Sequence, residues 1–160
     1  MFNRFTGEAR MVVNDAVDVA AEVRSPRVEA EHLLLAVTRG SGPVARALHD
    51  ANLDYEGLRD ALRAETTRSL AAVGVTAATP EFSPFVDRPK LATSAKLALE
   101  RALRVAVARG DKRIGSAHIA LGTLRAPTGT VPRALEAAAI SRPELITRIE
   151  RAADDAPPSR

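Results

Sequence analysis

The sequence predicts an all-α fold: two four-helix repeats packed with pseudo-two-fold symmetry. Three observations carry that prediction. The stretch Ala30-Glu31-His32-Leu33-Leu34-Leu35 has an echo 86 positions later, at Ser116-Ala117-His118-Ile119-Ala120-Leu121. Arg27-Val28 precedes the first copy and Arg113-Ile114 the second, and Arg39 and Arg125 follow at the same spacing. Apolar residues recur at i, i+3 or i+4, and i+7 through most of the chain, which is the period of a helix buried along one face. Aromatic residues are only 3% of the sequence and Trp is absent, so Ala, Val and Leu must build the core. Such a core suits close-packed helices better than a β-sandwich.

The first helix is expected to start at Thr6, a good N-cap, with Glu8 complementing the dipole in its first turn. It carries Ala9, Val12, Val13, Ala16, Val19, Ala20 and Val23 on one face and stops before Pro26. The second helix runs from near Ala30 to Arg39, ended by Gly40-Ser41-Gly42. Pro43 suits the start of a third helix bearing Val44, Ala47 and Leu48. Asn52-Leu53-Asp54 is a turn, and a fourth helix follows with Leu58, Ala61 and Leu62.

From about 71 to 90 the period breaks at Gly74, Pro80, Pro84 and Pro89, with Phe82 and Phe85 between them as anchors of a linker. A shift of 86 then superposes Ala95-Lys96 on Ala9-Arg10 and Val105-Ala106 on Val19-Ala20. The second histidine helix reaches about Arg125, and Pro132 to Ala139 and a segment from Arg142-Pro143 complete the second set. The domain therefore spans 1–153, with repeat one at about 5–70, the linker at about 71–90, repeat two at about 91–153, and a flexible tail at 154–160. A half of this size has a thin core alone, so the two halves should pack as one unit.

Composition narrows the function. Without Cys there is no disulfide framework and no thiol chemistry. No signal-peptide core and no membrane span can be read, and the chain reads as cytoplasmic. The net charge of +3 comes from arginines scattered among acids. Nucleic-acid binding would need a basic cluster on one face and a recognised module, and is the remotest reading. No histidine has further ligands at metal spacing, and no nucleophile–base arrangement can be assembled. Neither a metal, a cofactor nor an enzymatic activity is expected.

The residues Met1-Phe2-x-Arg4-Phe5-Thr6, Ala9-Arg10-x-Val12-Val13 and Ala30-Glu31-His32-Leu33-Leu34-Leu35, with the repeat spacing, resemble the Clp N-terminal domain. That is the double Clp repeat at the front of ClpC- and ClpA-type AAA+ unfoldases. The resemblance covers about residues 1–150 and implies an all-α module that binds adaptor proteins, client peptides and the parent Clp unfoldase. In some ClpC-type members it also implies recognition of phosphoarginine-bearing proteins. No Gly-x-x-x-x-Gly-Lys-[Ser/Thr] phosphate loop occurs in the 160 residues, so the reading is of an N-domain without its ATPase modules.

The family's Gly-Thr-Glu-His signature is altered differently in each copy. The first has Glu29-Ala30 before Glu31-His32; the second keeps Gly115-Ser116 but has Ala117 in place of the acid. The family's second-repeat Phe-Thr is Leu91-Ala92. A phosphoarginine reader needs a carboxylate for the guanidinium and helix-start N–H groups for the phosphate. Glu31 could supply the first, or could serve only the helix dipole. Phe2, Arg10 and Val13 match positions that in ClpC-type domains line a peptide groove. The candidate ligand-binding set is therefore Glu31, Phe2, Arg10 and Val13. His32 and His118 read as buried structural imidazoles, hydrogen-bonded across the repeat.

The expected function is a non-enzymatic protein- and peptide-binding module that modulates substrate or adaptor recognition in Clp-dependent proteolysis. The alternative is a sensor of phosphoarginine or a small peptide-like ligand.

Overall fold

Thr6 starts the first helix because its Oγ accepts a hydrogen bond from the Ala9 N–H at 3.1 Å, satisfying one of the donors that every helix start leaves free. A computed structural model describes residues 2–76 and 86–156. The expected anchors Phe82 and Phe85, and Pro157-Pro158 of the tail, lie outside those residues. A single 3-10 turn, Phe2–Arg4, leads into α1 (Gly7–Glu22), β1 (Arg27–Val28), α2 (Ala30–Thr38), α3 (Pro43–Asp50) and α4 (Tyr55–Ala72). Then come β2 (Lys90–Leu91), α5 (Thr93–Arg109), α6 (Ser116–Leu124), α7 (Thr130–Ala137) and α8 (Arg142–Asp154).

Local chemistry sets most of these limits. Asp54 caps α4 by accepting from the Gly57 N–H at 2.8 Å. Gly110, at φ 75°, ends α5 in the left-handed conformation that glycine adopts without strain. Three boundaries depart from the periodicity. Leu91 joins a strand, so α5 starts only at Thr93. α7 begins before Pro132, which a helix tolerates in its first turn. α8 holds to Asp154, whose carboxylate accepts from Arg109 Nη2 at 2.5 Å.

The short strands reveal how the halves interlock. β1 pairs in parallel with β2, Arg27 with Lys90 and Val28 with Leu91. The symmetric pairing joins Phe5 to Ile114. Ala92 N–H donates to Val28 O at 2.8 Å, and its counterpart Thr6 N–H donates to Ile114 O at 2.9 Å. Each half's entry segment thus pairs with the residues before the other half's histidine helix. These are the Arg-Val and Arg-Ile pairs already visible as part of the duplication.

The exchange continues in the outer helices, where α4 packs on α7 and α3 on α8. Glu65 of α4 marks that seam. Its side chain is 4% exposed and accepts from Ser69 Oγ at 2.6 Å and from Arg133 Nε of α7 at 2.8 Å. Those bonds hold its carboxyl below the usual carboxylate range. At the centre α2 packs against α6. All nine residues of α6 are buried, and eight of the nine in α2. A helix apolar on every side belongs inside a core.

The two histidines are buried as expected but do not bond across the repeat. His32 Nδ1 accepts from the Glu29 N–H at 2.9 Å, and His118 Nδ1 accepts from the Gly115 N–H at 2.8 Å. Each imidazole closes the start of its own helix, three residues back. The reason is local: an acceptor at the third helical position reaches the N-cap N–H, which would otherwise be buried unpaired.

Candidate functional site

One residue of α2 escapes burial, and it is Glu31. It opens into a groove of about 630 Å³. Glu29, Ala30 and Glu31 form one wall, and every other lining residue comes from the second half. Ser94, Leu97 and Arg101 line it from α5. The turn Ala126–Gly129 and the start of α7 through Arg133 close the far side. The swapped strand pairing produces this arrangement by setting the start of α2 beside α5.

The charges in the groove are unequally satisfied. Ser94 Oγ accepts from the Ala30 N–H at 2.9 Å and donates to a Glu29 carboxylate oxygen. Arg133 is committed to Glu65, and Arg101 Nε donates to Gly122 O at 2.8 Å. Among the described residues Glu31 has no such side-chain partner. Burial pushes its carboxyl above the usual range and the Glu29 charge adds to that; its own backbone N–H and Arg133 act the other way. A desolvated carboxylate facing open space can take a guanidinium or ammonium from a ligand, trading its desolvation cost for a charge-assisted hydrogen bond.

The same feature gives a stability prediction. A carboxyl with a raised folded pKa stabilises fully below its unfolded pKa and loses that contribution as pH rises through the folded value. Glu31→Gln removes the buried charge. It is expected to raise the melting temperature at pH 7 and to leave it unchanged at pH 3, read by thermal unfolding at the two pH values.

The other candidate residues lie elsewhere. Arg10 and Val13 sit on α1 and do not line the Glu31 groove. Arg10 is exposed, whereas Val13 belongs to the core at 9% exposure. Phe2 opens the initial 3-10 turn, and its side chain is outside the described residues. Ser94, Leu97, Arg101 and Arg133 were not singled out from the sequence. Their signal was the duplication itself, since Ser94, Leu97 and Arg101 occupy the positions of Glu8, Met11 and Asp15 shifted by 86.

The second helix start differs. Ala117 lines a groove of about 390 Å³ with Glu8, Arg109, Lys112 and Arg113, and without a carboxylate at the Glu31 position. Ser116 Oγ donates to Glu8 Oε1 at 3.0 Å, and His118 Nε2 lies 2.9 Å from Asp111 Oδ2. No group of three or more metal-ligating side chains occurs among the described residues. No helix there is long and apolar enough to cross a membrane.

The duplicated chain has a counterpart among known proteins. The family described as the Clp repeat (R) N-terminal domain matches residues 4–88 and again 90–160. The chain belongs to that family. Among curated relatives, the ClpA homologue of Guillardia theta, an ATP-dependent Clp protease ATP-binding subunit, is 30% identical over 97% of this chain and 18% of its own length. The chloroplastic chaperone protein ClpC1 of Oryza sativa subsp. japonica is 30% identical over 94% of the chain and 15% of its own length. The chain thus spans under a fifth of the length of these relatives.

Solved Clp N-domains share the fold. The N-terminal domain of ClpD from Arabidopsis thaliana superposes with a TM-score of 0.67 at 20% identity, covering 96% of this chain and 97% of that one. The ClpV N-domain in complex with a VipB peptide gives 0.60 at 16% identity, covering 98% and 91%. Against this Clp N-domain frame, the Glu31 groove has a carboxylate that its symmetry mate lacks.

Proposed function

We propose that this Clp N-domain is a non-catalytic module that binds client or adaptor segments through the Glu31 groove, and so modulates substrate recognition in Clp-dependent proteolysis. The observation that carries the reading is the carboxylate of Glu31, without a side-chain partner in a groove of about 630 Å³ walled by both repeats. Leu97, Val131, Pro127 and Pro132 offer apolar walls to a peptide, while Glu31 selects a cationic side chain. The ClpV N-domain was solved with a VipB peptide, which supports peptide binding by this fold. Its partners would be a Clp unfoldase, its adaptors or its client peptides.

A second reading is favoured by Arg101 in the same groove. Phosphoarginine would place its guanidinium on Glu31 and its phosphate towards Arg101 and the start of α2.

Calorimetric titration with an arginine-containing peptide, the same peptide phosphorylated on arginine, and an arginine-free control tests both readings. Binding that Glu31→Ala weakens about tenfold or more is expected, since a charge-assisted hydrogen bond contributes roughly 1.5–3 kcal/mol. Tighter binding of the phosphorylated form favours the second reading. Equal affinity of wild type and Glu31→Ala for every peptide would refute both.

A further inference from the structure

Superposing the repeats exposes an opposition of charge on the outer surface. α1 carries four acids and one arginine; its counterpart α5 carries four basic residues and one acid. Met11 and Leu97 occupy the same place in the two repeats and are exposed at 64% and 43%. Along the stripe that continues from them, Asp15 and Asp18 of α1 stand where α5 has Arg101 and Arg104. A protein of net charge +3 therefore presents one acidic helix face, centred on an exposed methionine.

The two stripes differ in how far they are already satisfied. On α5, Arg101 bonds Gly122 O, and Arg104 lies 3.7 Å from Glu100. On α1, Glu8 and Glu22 are engaged by Ser116 and Arg39, but among the described residues Asp15 and Asp18 have no ion-pair or hydrogen-bond partner. Beside them a groove of about 210 Å³ runs between α1 and the end of α2, with Met11, Val12, Val37 and Ala45 as its apolar lining and Glu8, Asp15 and Arg39 as its charged groups, Arg39 being already paired with Glu22.

We propose that this groove is a docking site for a basic amphipathic helix of a partner protein. An apolar side chain of that helix would cover Met11, and Lys or Arg side chains one and two turns on would pair with Asp15 and Asp18. Charge complementarity selects the occupant: the free carboxylates exclude an acidic segment and repel an acidic surface. Methionine suits the role, since its flexible thioether adapts to varied apolar partners. A second copy, approaching through α5, is the less favoured occupant, because Arg101 and Arg104 of that helix are already engaged. The site is separate from the Glu31 groove, with which it shares no lining residue.

Fluorescence anisotropy with a labelled 18-residue Leu/Lys amphipathic peptide and its Leu/Glu counterpart tests the proposal on the intact chain. The cationic peptide is expected to bind and to weaken with added salt, and the anionic one not to bind. Met11→Ser, and separately Asp15→Lys with Asp18→Lys, should each weaken binding about tenfold, from lost apolar burial and lost charge pairing respectively. The same losses are expected when the titrations are run in the Glu31→Ala background, where the other groove no longer selects a cationic side chain, which keeps this site's failure distinct from that of the Glu31 groove. The substituted positions lie outside the core, so circular dichroism should confirm unchanged folding. Binding insensitive to Met11→Ser would mean diffuse charge attraction and would overturn the proposal. So would equal binding of the anionic peptide. Sedimentation showing salt-sensitive dimers, lost both in Asp15→Lys with Asp18→Lys and in Arg101→Glu with Arg104→Glu, would give the surface to a second copy instead.

Discussion

Gly122→Ala is expected to destabilise the fold by about 1–3 kcal/mol, the usual cost of forcing extra volume into a packed core. In a chain of this size that lowers the melting temperature by roughly 2–4 °C per kcal/mol. Gly122 lies in α6 where it crosses α5. A Cβ there would stand 2.2 Å from Ala98 O and 2.8 Å from Ala102 N. Both are backbone atoms, so no side-chain rotation relieves the contact and the two helices must move apart. The sign is diagnostic. Helix propensity alone favours alanine over glycine by about 1 kcal/mol, so a gain in stability would refute the close approach. The first repeat supplies a control, because Ala36 occupies the matching position in α2. Ala36→Gly should cost only about the 1 kcal/mol of propensity plus its small lost burial. Thermal and denaturant unfolding of the two variants would read the asymmetry.

Lowering the pH from 6.5 to about 4 should remove about 3 kcal/mol of stability through His32 alone. Burial pulls its imidazole from 6.5 down to about 4, against a smaller upward pull from the Glu29 charge. Each unit of difference between folded and unfolded pKa is worth about 1.4 kcal/mol. The structural cause is the helix cap: Nδ1 accepts from the Glu29 N–H, and a protonated Nδ1 would turn a donor towards a donor. A depressed folded pKa gives stability that is complete above the unfolded pKa and is lost as pH falls towards the folded one. Across this window the unfolded chain binds the proton and the folded chain does not. Urea titrations between pH 7 and 4 should show the midpoint falling. His32→Asn has no titrating group, and its side-chain oxygen can accept in the cap. It should lower stability at pH 7 but flatten the pH dependence. An unchanged slope in that variant would shift the cause to other groups.

Glu31 moves in the opposite sense, since its carboxyl is raised rather than lowered. At two adjacent residues of one helix start burial therefore works against the charged form, for different ends. His32 points into the core and closes the helix. Glu31 turns outward into the groove, where its cost in stability has no structural return. That contrast is the physical basis for assigning the histidine to the fold and for proposing the glutamate as the recognition residue.

Much of the fold was legible in the chain. Thr6 and Asp54 mark helix starts through their own chemistry, and the 86-residue shift reports two equivalent halves. The shift also separates a histidine present in both copies from a glutamate present in one. What the sequence could not determine was which half closes each site. The candidate set joins Glu31, the carboxylate for a guanidinium, to Phe2, Arg10 and Val13, which match a peptide groove of ClpC-type domains, yet the groove around Glu31 is completed by Ser94, Leu97, Arg101 and Arg133 of the second repeat.

The exchange depends on strands two residues long, too short to show any periodicity, and on backbone hydrogen bonds that leave no mark on side-chain pattern. The imidazoles were misassigned for a related reason. Burial follows from apolar neighbours, but the partner of a buried ring is fixed by a cap geometry three residues away. Local propensity and duplication thus determined the elements and their equivalence. Only the tertiary structure decided the partnerships between them, because a two-fold arrangement of identical topology can close each half on itself or on its mate, and short-range sequence signals are the same in both.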